Sequence, residues 1–474
     1  MKKEEKKYGL LKVILLFVLV AIFLTWLLPY GQFNGADYVG EETLARIGMS
    51  SLSELVYYAF QFALDKIVIL LFIAGFYGVL CKTKAYDDIT SSIAKKLKNK
   101  KIAVVVISVI LAVLASVLTQ TFAILIFVPF IISIMNKMKL DKLTIIATTF
   151  GSMLVGVLGA TYGTEGLMLI AKDNFFIAEG FDPNQTVLIR AGILLISLVL
   201  LNFFIISHMS KKDKENESAE MFQITEVDEK KKSYVPIIVI GILLIILVVL
   251  GFVNWNKLNI TVFDSFHKLI TEDIKIGEDF YIFKSILGSS LKAFGNWDVF
   301  TISSILFVFT IIIGLCYRFK FNDFVGGFTE GCKKVIKPCM VLMGAYLVMG
   351  VIYMSPYLPY IINKILGLTE GFNVATSSLS ILISTIFCPN LDFIGYLGIL
   401  NHMAVEYPNY MNALYVIISS ITGLTAIFAP TSLVLVVGLT SLDVKYKDWL
   451  KFIWKFLIGI VICLLVIFIL MTMI

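Results

Sequence analysis

Long apolar runs separated by short charged stretches occupy most of the chain: residues 10–28, 54–81, 102–136, 143–171 and 188–208, then 235–253, then 298–316, 323–354, 373–404, 411–440 and 451–473. A spanning helix needs about 20 apolar residues, so most of these runs predict membrane crossings. Two predict something else. The run from Ile102 to Asn136 has Thr119, Gln120 and Thr121 at its midpoint, Lys98, Lys100 and Lys101 before it, and Lys137, Lys139 and Lys142 after it. Positive loops stay in the cytoplasm, so a run that starts and ends on lysines enters the membrane and returns to the same side. This predicts a re-entrant hairpin over 102–137, with two short full crossings as the alternative reading. Its arms, about 16 residues or about 24 Å each, are short for an apolar core of about 30 Å. The run 373–404 has Cys388, Pro389 and Asn390 at its midpoint. Proline breaks a helix by removing a donor and clashing with the preceding turn, which predicts a second hairpin over 372–405.

The charges between runs orient the rest. Lys2, Lys3, Lys6 and Lys7 place the N-terminus inside, Asp37, Glu41 and Glu42 put the 30–50 loop outside, and the lysine-rich 82–101 segment is inside again. Residues 210–233, charged and without aliphatic periodicity, form a cytoplasmic linker. A joining helix at 235–253 leads outward to a loop over 254–297 with a predicted surface helix at 281–292. Arg318 and Lys320 return the chain to the inside, so the second hairpin starts outside after Thr369, Glu370 and Gly371 and ends at Glu406, Tyr407 and Pro408. Residues 1–209 and 298–474 thus predict two units of opposite sense, an inverted repeat, joined through 234–297. With about nine crossings, the C-terminus falls outside.

Composition agrees with this pattern. The 474 residues are 58% hydrophobic and 16% charged, with mean hydropathy +0.90, which excludes a soluble globule and predicts an all-α polytopic membrane protein. The first run is too long for a signal-peptide core and lacks a small-residue cleavage site, so it is expected to remain as a membrane helix. The net charge of +6 comes from lysines at loop ends and marks orientation rather than nucleic acid. Cys81, Cys316, Cys332, Cys339, Cys388 and Cys463 show no metal or disulfide spacing, and His208, His267 and His402 belong to no ligand pattern. No catalytic residue, cofactor or structural metal is expected.

Each hairpin is followed by a run interrupted by small and polar residues: Gly156 to Gly166 within a broken helix over 142–172, and Gly423 to Ser432 within one over 411–440. Glycine and proline release backbone groups toward a cavity. Half-helix N-termini attract anions and freed carbonyls coordinate sodium. The hairpin tips and breaks therefore nominate Thr119, Gln120, Thr121, Thr161, Thr164, Glu165, Pro389, Asn390, Asp392, Thr431 and Ser432 for substrate, and Gly156, Gly159, Thr161, Thr425 and Ala429 for a coupling ion, sodium being the candidate and protons the alternative. Glycine and threonine are also common where membrane helices merely pack closely; the matching placement in two inverted halves favours function. Glu165 and Asp392 are buried-carboxylate candidates, whereas Asp65, followed at once by Lys66, is expected to pair locally. No Arg or Lys lies within a tip or break, which tilts the substrate toward an amino acid or monocarboxylate.

Several local sequences resemble one family. KIVILLFIAGFYGVLCKTKAYDDITSSIAKKLKNKK at 66–101, with Gly75, Gly78, Lys82, Thr83 and Ala85, is similar to the glycine-rich helix end and inside stretch of the C4-dicarboxylate anaerobic carrier-like permeases, also called YfcC-like, of the ion transporter superfamily. Gly156-Val157-Leu158-Gly159 resembles that family's first break; Ala429-Pro430-Thr431-Ser432 and the stretch from Val444 to Phe452 resemble its last motifs. The order of motifs matches over most of the chain. The tips depart: Leu118-Thr119-Gln120-Thr121 stands where many relatives have an acidic tip, and Cys388-Pro389-Asn390-Leu391-Asp392 where they have a glycine-serine one. The resemblance implies an elevator-type fold with a scaffold domain for homodimerisation, a bacterial plasma membrane, and a small carboxylated substrate, since such carriers take dicarboxylates or amino acids, including arginine/ornithine exchange. A secondary transporter, symporter or exchanger, is the leading expectation, with amino acids ahead of C4-dicarboxylates. A channel fits two opposed hairpins less well, and an intramembrane enzyme would want a nucleophile beside a base, which Cys388 and the distant His402 do not supply.

Overall fold

A computed structural model describes residues 9–35, 37–40, 43–163, 182–211, 221–222, 233–276, 280–288, 291–388, 394–395 and 397–473. The main helices are α1 (Gly9–Leu27), α2 (Leu52–Leu80), α3 (Lys84–Lys96), α4 (Lys100–Val117), α5 (Val128–Lys137), α6 (Lys142–Leu158), α7 (Val187–Lys211), α8 (Val235–Phe252), α9 (Val299–Cys316), α10 (Phe321–Met354), α11 (Leu358–Leu366), α12 (Val374–Phe387), α13 (Ile399–Glu406), α14 (Met411–Phe428), α15 (Leu433–Ser441) and α16 (Tyr446–Met473). Among the described residues nine helices are long and apolar enough to cross a membrane. They include α4, which the sequence assigns to a hairpin arm, while the described part of the first broken helix, α6, falls among the shorter ones.

The loops hold more order than their polarity predicts. The 30–50 loop contains a β-ribbon, β1 (Gly31–Asn34) antiparallel to β2 (Asp37–Gly40), with Phe33 opposite Tyr38. The 82–101 segment contains amphipathic α3, capped by Thr83, whose side chain accepts from the Tyr86 amide. The predicted surface helix at 281–292 is only Ile282–Leu287, and a helix at Val262–Lys268 precedes it. A second ribbon pairs Lys275–Ile276 with Phe280–Tyr281.

Helix faces follow a membrane logic. On α16, Trp449, Ile453, Phe456, Ile460, Leu464 and Phe468 are buried at helical spacing while Ile458, Ile462, Val466 and Ile469 are exposed. An apolar exposed face is stable only against lipid. The helices pack as two groups. In one, α2 runs against α9 and α10, and α1 against α10. A side chain on Gly331 would strike the backbone of Ala74 and Gly78, so the glycines at 78 and 331 let α2 and α10 touch. In the other, α4 and α14 pack on α6, α12 on α14, and α7 and α16 close the flanks.

The 100–137 segment begins and ends beside α3. α4 starts four residues past its end, and α5 returns along it: Tyr86 Oη lies 3.0 Å from Ser133 Oγ, and Lys137 pairs with Asp87 and donates to Ser91 Oγ at 2.7 Å.

Candidate functional site

The first tip and first break meet. α4 ends at Val117 and α6 at Leu158. Beyond those ends, Ser116 serves as the junction. Its carbonyl accepts from the amides of Thr161 (2.9 Å) and Gly163 (3.0 Å) and from Thr161 Oγ1 (3.2 Å); its hydroxyl lies 2.9 Å from Thr161 Oγ1 and donates to the Gly159 carbonyl at 3.0 Å. The tip itself is buttressed from the joining helix. The Thr119 amide donates to the Phe252 carbonyl at 2.8 Å, and Leu118 and Val253 form an antiparallel bridge. Thr121 opens the single turn Thr121–Ile124, and the buried Gln120 Oε1 has no hydrogen-bond partner among the described residues.

The second half repeats the joint at equivalent positions. Thr431 is the third residue past α14, as Thr161 is past α6; its Oγ1 donates at 2.6 Å to the carbonyl of Ile386, which is next to last in α12 as Ser116 is in α4. Thr385 Oγ1 donates to Thr425 Oγ1 at 2.9 Å, which donates to the Ile421 carbonyl at 2.8 Å. Leu158 packs on Gly423, about a turn and a half before α14 ends, so the two breaks lie side by side. Pro389, Asn390 and Asp392 at the second tip, Thr164 and Glu165 past the first break, and nearly all of the 210–233 linker lie outside the described residues.

The carbonyls freed at both breaks meet donors from the protein itself. Tyr446 Oη bonds the Phe428 carbonyl, Trp449 Nε1 donates to Ile427 at 2.8 Å, and the Ser432 amide donates to Ala429 at 3.1 Å. At the first break Ser116 holds Gly159, and Arg190 Nη1 donates to the carbonyls of Ala160 (2.6 Å) and Thr161 (2.5 Å). An ion at Gly159, Thr161 or Ala429 would share carbonyls already engaged; Gly156 lies inside α6, its Cα against the Ala112 carbonyl region of α4. The donor side stays open instead. Ser432, 3% exposed, caps α15 without a side-chain cap bond, and its Oγ has no partner among the described residues. The first-turn amides behind it have no intrahelical acceptor, which is the setting that favours an anion.

Local sequence missed the residues that come from other helices. Arg190, Ser116, Thr385, Tyr446 and Trp449 all touch a break or a tip joint from elsewhere in the chain. Arg190 carried a signal as the one cation inside the run 188–208, and Tyr446 and Trp449 lie in the Val444 to Phe452 motif, though nothing in that motif pointed to the break. Asp65 and Lys66 pair as expected, at 2.7 Å, with the ammonium 5.4 Å from the Phe122 ring beside the first tip. His402 stacks on Phe33 at 4.0 Å. Two cavities among the described residues lie elsewhere. One of about 570 Å³ is walled mostly by apolar residues of α2, α3 and α8, with Ile126, Phe127 and Phe130 past the first tip and Asp88 and Lys96 at its wall, and one of about 630 Å³ near Lys142 is lined by Asp141, His208, Asp448 and Lys451.

Comparison with known proteins adds the following. A family model described as DcuC, the C4-dicarboxylate anaerobic carrier, matches residues 9–474. Among solved structures, the YdaH transporter of Alcanivorax borkumensis is similar at 11% identity over 98% of this chain and 97% of its own, with a TM-score of 0.41. No curated protein matches the chain.

Proposed function

The chain belongs to the C4-dicarboxylate anaerobic carrier family, and from that premise we propose that it is a secondary carrier of C4-dicarboxylates rather than of amino acids. The observation that carries this reading is the match of one carrier family across residues 9–474. The geometry supports it. The tilt toward amino acids rested on the lack of a cation at the breaks, and Arg190 brings one to the first. One substrate carboxylate would sit at the first tip and break, among Thr119, Gln120, Thr121, Thr161 and Thr164, and the other at the second, among Pro389, Asn390, Thr431 and Ser432, with Glu165 and Asp392 taking the coupling sodium or a proton rather than the anion. Sodium or protons, or exchange, would drive uptake, with Thr425 as the ion's candidate seat, joined by the break carbonyls at Gly159, Thr161 and Ala429 only where Ser116, Arg190 and the Ser432 amide release them.

In the same reading residues 1–209 and 298–474 are inverted repeats with re-entrant hairpins at 102–137 and 372–405. The return of α5 beside α3, the equivalent joints at Thr161 and Thr431, and the division of helices into two packed groups support this. The group around α2 and α10 would be the scaffold of a homodimer, and the group around α6 and α14 the part that moves. The N-terminus would lie in the cytoplasm and the C-terminus outside.

Uptake in proteoliposomes tests the function. Labelled succinate, arginine, ornithine and neutral amino acids are each offered with and without a sodium gradient, a proton gradient and internal counter-substrate. Succinate uptake is expected, dependent on at least one of these. Uptake of amino acids alone would overturn the reading, and flux far above carrier turnover would favour a channel.

A further inference from the structure

We propose that Arg190 is the positioning residue that makes the first break select a doubly charged substrate, an inference that rests on the dicarboxylate reading above. The side chain comes from the first turn of α7 and is 1% exposed. Four of its five N–H groups point to neutral acceptors. Nη1 donates to the carbonyls of Ala160 and Thr161, Nη2 to Pro183 at 2.9 Å and Nε to Thr186 Oγ1 at 3.1 Å. The guanidinium carbon lies 4.9 Å from the Tyr415 ring centroid of α14. Among the described residues no carboxylate pairs with it.

A desolvated charge met only by dipoles is costly, and the cost falls when a counter-charge arrives. A structural clamp for two carbonyls needs donors, which a neutral amide side chain or a water also supplies; a permanent charge is required only if charge is what the site uses. The geometry shows how it would be used. Thr161 C=O and Tyr162 N–H belong to one peptide group. The amides of Thr161 and Gly163 are taken by Ser116, but that of Tyr162 has no acceptor among the described residues. A guanidinium on the carbonyl polarises the amide at the other end of the same peptide. The break therefore presents a strengthened donor beside the first tip, backed by a full positive charge that stays outside the contact itself. Arg190 thus acts through the peptide: its charge rewards a carboxylate at the first break, the place that a monoanion seated by its single carboxylate at the second break leaves empty.

The test compares two ligands of one shape. Wild type, Arg190→Gln and Arg190→Lys are reconstituted, and KM for labelled succinate is measured beside inhibition by monomethyl succinate, at a pH where the first is a dianion and the second a monoanion. Wild type is expected to prefer the dianion by about tenfold or more. Arg190→Gln should lose most of that preference through KM, with Vmax changed less. Arg190→Lys should keep it at neutral pH and lose it as pH rises, because a buried lysine titrates and an arginine does not, while the wild-type ratio stays flat. A merely structural role would move both ligands together. Wild type without a dianion preference, Arg190→Gln with the ratio intact, or an Arg190→Lys ratio independent of pH would each overturn the proposal. If wild type takes up no dicarboxylate, the proposed function falls as well; if it transports succinate and the variants keep the ratio, only the role of Arg190 falls.

Discussion

Thr161 and Thr431 do the same job in the two halves: each hydroxyl ties the segment after a helix end to the penultimate carbonyl of an earlier helix, α4 or α12. Valine in either place keeps the shape and removes the donor. Thr161→Val and Thr431→Val should each cost about 1 kcal/mol of stability, read as a lower unfolding temperature, and should cut uptake by about tenfold or more because substrate groups on both sides of the joint shift together. Equal uptake in both variants would remove the joints from the site. Both threonines were legible from sequence as hydroxyls beside breaks. Ser116 was not, since it is one small residue in an apolar arm and only folding sets it against Thr161. Arg190 was visible as a charge in a membrane run, but its target lies 29 and 30 residues away.

At the scale of elements, hydrophobic length and lysine placement located the long helices closely, because desolvation in lipid dictates a minimum apolar run and penalises charge within it. The same criterion was blind to α3, α11 and the β1–β2 ribbon, which are short and polar on one side. α11 packs on α12 and β1 on α13, so these pieces gain their order from tertiary contact. Close helix packing gives a prediction at this scale. In Gly331→Ala the added methyl meets the backbone of Ala74 and Gly78, and α2 and α10 must part. A loss of about 1–3 kcal/mol is expected, with a lower unfolding temperature in detergent and no change in substrate preference, since neither helix carries a break residue. Full stability in this variant would mean that the α2–α10 crossing is not a close one.

For the whole molecule, the proposed opposite orientation of the two repeats would place the chain ends on opposite sides. In a cysteine-free background, Met473→Cys should react with an impermeant maleimide from outside intact cells and Ser210→Cys only after the membrane is opened. Labelling of both from one side would refute the inverted arrangement. Sequence by itself determined that this is a polytopic helical membrane protein, where its helices and interruptions fall, and which family it resembles, because each of these follows from local apolar length, charge and short motifs. Only the tertiary structure decided what surrounds the interruptions. It set the breaks side by side, engaged their carbonyls with Ser116, Trp449, Tyr446 and Arg190, and left the donors at Tyr162 and α15 without an acceptor among the described residues. Those pairings join residues distant in the chain, and hydrogen bonds in a membrane interior form wherever packing brings a donor to an orphaned acceptor, a condition that no local pattern encodes.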